Sequence, residues 1–93
     1  MQGKLDRQLV RALDCLGEMQ LAIGEPQIAS ESALAGIRLA AYWERTHRCL
    51  MRAYAANGNK AKAVATYHEF RELLAYDVGT DPGFETEVLY LRS

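Results

Sequence analysis

Leu50-Met51-Arg52-Ala53-Tyr54-Ala55-Ala56-Asn57-Gly58 decides the fold of this chain. Leu50 and Tyr54 stand one helical turn apart, and Asn57-Gly58 is a helix stop, because glycine takes the left-handed position just past a helix end. Ala63 and Tyr67 then open a second helix. Subtracting 34 from these positions gives Leu16-Gly17, Gly24, Ala29 and Ala33, a similar series around a similar stop. A period of 34 is the length of a helix–turn–helix unit that stacks on copies of itself. Stacked arrays of this kind present extended binding surfaces.

Working outward, the first helix runs from about Lys4 to Ile23, with Leu5, Leu9, Leu13 and Leu16 on one stripe. Gly24 closes it, and Pro26 suits the first turn of the next. That second helix carries Ile28, Ala29, Ala33, Leu34 and Ile37 and ends near Leu39. Its small residues Ala29, Ala33, Ala35 and Gly36 predict a close helix approach. The third helix covers about Ala41 to Ala56, with Trp43, His47, Leu50 and Tyr54 on one face. Asn59 caps a fourth, about Lys60 to Tyr76, whose face is Ala63, Tyr67, Phe70 and Leu74. The breaker-rich segment Val78-Gly79-Thr80-Asp81-Pro82-Gly83 separates a last helix, about 84–92, whose Glu85 and Glu87 complement the helix dipole. No segment alternates, so no sheet is expected. The expected fold is all-α, about five helices in one domain over 1–93. Two antiparallel helix pairs, about 4–39 and 41–76, stack with the terminal helix, and Trp43, Tyr54, Tyr67 and Phe70 form the inter-helix core.

The units resemble degenerate tetratricopeptide repeats. The first has Leu16-Gly17 but Gln20 for the expected Tyr, and the second has Leu50 and Tyr54 but Met51 for Gly. The closing Pro is replaced by Ala41 and Ala75. From Trp43-Glu44-Arg45-Thr46-His47 through Gly58, then Arg71-Glu72-Leu73-Leu74, Asp77-Val78-Gly79-Thr80-Asp81-Pro82 and Glu85-Thr86-Glu87-Val88-Leu89-Tyr90, the chain resembles the bacterial transcriptional activator domain of antibiotic-regulatory-protein-type activators. Gly83-Phe84 stands where that family usually has Ser-Pro. The resemblance implies a regulatory protein-interaction domain, a C-terminal part of the activator domain, that self-associates or contacts the transcription machinery or a neighbouring domain. It implies DNA contact only through a winged helix that has no counterpart in these residues. A free-standing tetratricopeptide-type adaptor that binds an acidic peptide segment is the alternative reading.

Composition agrees with a small helical domain: 93 residues, 49% hydrophobic, 25% charged, net charge −1. That charge offers no basic field to draw the chain to nucleic acid or a membrane, and no apolar run approaches a bilayer span. Met1-Gln2-Gly3-Lys4 contains no apolar signal core, so a cytoplasmic location is expected. Cys15 and Cys49 are also 34 apart. Equivalent stacked helices lie about 8–10 Å apart, too far for a disulfide, so both are expected to be free thiols.

Arg45, Arg48 and Arg52 fall on one face of the third helix, away from its apolar stripe, and are candidate partner-binding residues for an acidic segment or a nucleotide-like anion. The same period also sets Asp14 opposite Arg48 and Glu18 opposite Arg52, which makes inter-repeat ion pairing the competing role. Leu5, Leu9 and Leu13 form a candidate self-association edge that a homodimer would cover. His47 lies within an apolar stripe and is expected to be packed, whereas His68 is expected to be solvated, as are Glu31, Glu44, Glu69 and Glu72. The Asp77 loop fails the calcium-loop spacing at Gly79, Pro82 and Val88. No nucleophile–base grouping, phosphate loop or zinc helix is present, so neither catalysis nor a cofactor or metal is expected.

Overall fold

The computed structural model describes residues 4–92. Residues 1–3, expected to lead into the first helix, and residue 93 lie outside the described residues. Five helices follow in order: α1 (Lys4–Ala22), α2 (Pro26–Leu39), α3 (Glu44–Ala56), α4 (Lys60–Asp77) and α5 (Phe84–Leu91). No strand occurs among the described residues. α3 packs against all four other helices, α1 meets α2, and α4 meets α5. The result is a slab of 33 × 29 × 18 Å with α3 at its centre.

The 34-residue period shows in the hydrogen bonds that stop α1 and α3. Gly24 takes φ +82° and Gly58 φ +76°. The next N–H groups reach back five residues, Glu25 to the Gln20 carbonyl and Asn59 to the Tyr54 carbonyl, each at 2.8 Å. These bonds satisfy carbonyls that the helix end would leave open. Gln20, which stands where the repeat pattern has Tyr, uses its side chain to accept the Ser32 hydroxyl at 2.7 Å. Asn59 caps α4 by accepting the Lys62 N–H at 3.2 Å.

Close packing at the centre depends on two glycines. A Cβ on Gly17 would lie 2.9 Å from Cys49 Sγ, and one on Gly36 would lie 2.9 Å from Thr46 Cγ2. The buried face of α3 comprises Thr46, His47, Cys49, Leu50, Met51 and Ala53. Six buried residues in eight positions are too many for one apolar stripe, because α3 has neighbours on several sides.

Three expectations need correcting. α3 begins at Glu44 rather than Ala41, because residues 40–43 form the turn in which Trp43 N–H bonds the Ala40 carbonyl at 3.1 Å. Trp43 is therefore a half-buried turn residue, not core; Tyr67 and Phe70 are buried, and Tyr54 packs half-buried against Ala33, Cys49 and Leu50. On α1 the inward face is Val10, Asp14 and Gly17 with half-buried Leu21, so the Leu5–Leu9–Leu16 stripe points outward.

A basic cleft between the third and fifth helices

α5 sits against one end of α3 through a cluster of polar bonds. Gly83, the residue before α5, has no side chain to cap the helix. Glu44 supplies the acceptor instead: its Oε2 takes the Gly83 N–H at 2.7 Å and also the hydroxyl of Thr86. Arg48 Nη1 donates to Thr86 Oγ1 at 3.2 Å and lies 3.7 Å from Glu44 Oε2. The expectation that Glu44 is merely solvated is therefore wrong. On the other side of α5, Tyr67 stacks on Tyr90 with centroids 4.0 Å apart and donates its hydroxyl to Glu87 at 2.5 Å. Burial and that bond push the Tyr67 phenol up to about 12.

Between α3 and α5 lies a cleft of about 680 Å³. Arg45, Arg48 and Arg52 line it from α3, Glu18 from α1, and Phe84, Glu85, Val88, Leu89 and Arg92 from α5. The three sequence-predicted arginines are thus brought together, but their states differ. Arg52 is paired with Glu18, the partner the repeat period indicates. Arg48 is engaged by Thr86 and Glu44 rather than by Asp14. Asp14 instead accepts the Thr46 hydroxyl at 2.7 Å. The side chains of Arg45 and Arg92 form no hydrogen bond or ion pair among the described residues, and Phe84, which lines the cleft with them, is 81% exposed.

Sequence reasoning missed Phe84, Val88 and Arg92. Their four-residue spacing places them on one face of the last helix, a signal available before the structure. Four arginines against two glutamates leave the cleft net positive, with an apolar wall on the α5 side. Such a surface suits a carboxylate flanked by an apolar side chain.

The remaining singled-out residues lie elsewhere. His47 donates from Nε2 to the Ala41 carbonyl at 2.7 Å and stacks on Phe70 with centroids 4.1 Å apart. Burial lowers its pKa, against the raising effects of the Ala41 carbonyl and of Glu44 and Glu69. His68 is exposed, with its Nε2 3.5 Å from the Tyr90 hydroxyl. Cys49 is buried with its thiol pushed up to about 11 by burial first of all, and Cys15 is exposed; both are free. Leu5 and Leu9 are exposed and Leu13 half-buried, and none of them reaches the cleft. Among the described residues, no three or more His, Cys, Asp or Glu side chains gather as a metal site, and no helix is long and apolar enough to cross a membrane.

Comparison with protein families gives a match over residues 2–92 to the bacterial transcriptional activator domain. Comparison with curated proteins and with solved structures gives no match. The chain belongs to the bacterial transcriptional activator domain family.

Proposed function

We propose, from this family membership, that the chain is a non-enzymatic protein-interaction domain of a cytoplasmic transcription activator, and that the α3–α5 cleft is where it holds a partner. The partner is an acidic protein segment with an apolar residue beside its carboxylates, offered by the transcription machinery or by a neighbouring domain. DNA contact would belong to a winged helix outside these residues. The observation that carries the reading is the pairing state of the arginines. Arg48 and Arg52 are occupied within the fold, whereas the side chains of Arg45 and Arg92, which line the cleft with an exposed Phe84, have no partner among the described residues. A desolvated arginine–carboxylate contact beside an aromatic anchor is the usual composition of an interface hot spot.

The test is fluorescence anisotropy with a dye-labelled peptide of alternating Glu and Leu, against a Lys and Leu peptide as control. The acidic peptide is expected to bind, and Arg45→Glu with Arg92→Glu to weaken it by at least about tenfold, equivalent to about 1.4 kcal/mol. Equal affinity for both peptides, or an unchanged affinity in the double variant, would reject the cleft as the docking site.

A further inference from the structure

The turn between α2 and α3 lies beside a second hollow, of about 490 Å³. Arg7 lines it from α1, Arg38 and Leu39 from the end of α2, and residues 40–43 from the turn. It shares no lining residue with the α3–α5 cleft. Trp43, which the sequence pattern assigns to the core, stands here instead and is half-buried. Its indole N–H has no hydrogen-bond partner among the described residues. Tyr42 is exposed, and its hydroxyl donates to the Asp77 carboxylate at 2.5 Å, which tethers the ring to the end of α4. The side chains of Arg7 and Arg38 are exposed and form no hydrogen bond or ion pair among the described residues. No acidic side chain lines the hollow.

We propose that this hollow binds a small planar aromatic carboxylate, its ring against Trp43 and its carboxylate between Arg7 and Arg38. The volume falls within the range of about 300–1,000 Å³ in which pockets enclose small molecules. Two guanidinium groups with no lining carboxylate call for an anion, and the guanidinium fork matches a carboxylate with two parallel bonds. The Trp43 ring offers a face that a planar ring covers by offset stacking, with Tyr42 beside it. A phosphate would ask for more. Sites built for phosphate gather several backbone N–H groups, commonly around glycine. No glycine lines this hollow, the Trp43 N–H is taken by the Ala40 carbonyl at 3.1 Å, and α2 brings its carbonyl end there. Binding at the turn does not depend on the cleft.

Trp43 is the only tryptophan in the chain, so its indole N–H gives one assignable signal in a proton–nitrogen correlation spectrum. The 93-residue chain is titrated with cinnamate, with cinnamyl alcohol as its neutral counterpart and cyclohexanepropionate as its saturated one. Cinnamate is expected to shift that signal saturably and to bind at least about tenfold more tightly than either control. Arg7→Ala and Arg38→Ala should each weaken cinnamate binding by at least about fivefold. Circular dichroism should show their helix content unchanged, since both side chains are exposed. No saturable shift, a control that binds as tightly as cinnamate, or an affinity that either variant leaves unchanged would overturn the proposal.

Discussion

Glu44, the first residue of α3, caps α5 by accepting the Gly83 N–H at 2.7 Å. The terminal helix is not part of the 34-residue repeat, and its place against α3 is set by this borrowed cap. The same carboxylate takes the hydroxyl of Thr86, which is fully buried, and Arg48 bonds Thr86 from the cleft side. One arginine is thereby spent on holding α5, and the cleft that α5 closes acquires its shape.

Replacing Glu44 by Ala is expected to loosen α5 selectively. Loss of the cap and of a partner for buried Thr86 should cost about 1–2 kcal/mol. Hydrogen exchange should rise over residues 84–91 before it rises in α2 or α3. Uniform acceleration along the chain would show that the cap does not act locally.

Asp14 and Thr46 form a buried polar contact between α1 and α3, and the second carboxylate oxygen of Asp14 has no partner. Thr46→Val should therefore cost about 1–3 kcal/mol in urea denaturation, since it leaves both oxygens unpaired. Asp14→Leu combined with Thr46→Val should recover part of that loss, because no unpartnered polar atom then remains buried there. A double variant less stable than Thr46→Val alone would argue against this account.

Gly36→Ala and Gly17→Ala should both destabilise, although alanine favours a helix by about 1 kcal/mol. Each new Cβ would be held 2.9 Å from a neighbour. At Gly36 that neighbour is the methyl of Thr46, which is buried and tied to Asp14. At Gly17 it is the Cys49 thiol, the end of a side chain with no hydroxyl bond or disulfide to hold it. Gly36→Ala is accordingly expected to lower the melting temperature more, by about 4–8 °C per kcal/mol lost.

Stability should fall on acidification through His47. Its folded pKa lies below the ordinary 6.5, so the unfolded chain takes up a proton before the folded one does. The contribution is complete above 6.5 and is lost as pH drops toward the lowered folded value. His47→Gln, which can still donate to the Ala41 carbonyl, should flatten the urea midpoint between pH 7 and pH 5 in comparison with the parent. An identical slope in both proteins would assign the acid sensitivity elsewhere.

Alkaline pH should act through Tyr67. The folded phenol titrates near 12 against an ordinary 10, so the unfolded chain loses its proton first. Stability is expected to decline as pH rises from 10 toward 12. Tyr67→Phe removes this component, and it should also speed exchange in α5 by releasing Glu87. A decline of equal steepness in Tyr67→Phe would locate the titrating group elsewhere.

Much of this was legible before any coordinates. The stops at Gly24 and Gly58, the Asn59 cap and the number of helices follow from residues that act locally. The Glu18–Arg52 pair was legible too, because a repeat of fixed length carries one residue onto its counterpart. The same arithmetic failed at Asp14 and Arg48, where Thr46 and Thr86 offered nearer partners.

By itself, then, the sequence determined which stretches are helical, where they stop and that they repeat, since capping, glycine conformation and apolar period depend on neighbours within a few residues. Only the tertiary structure decided which face of each helix is covered. α1 has an apolar stripe along Leu5, Leu9 and Leu16 and a narrower one through Val10 and Gly17, and helical period alone favours the larger. The smaller one is buried, because Gly17 lets α1 approach Cys49 on α3 as a bulkier side chain would not. The cleft is of the same kind: Glu44 and Gly83 are 39 residues apart with no period linking them, so their meeting depends on how α5 packs back onto α3.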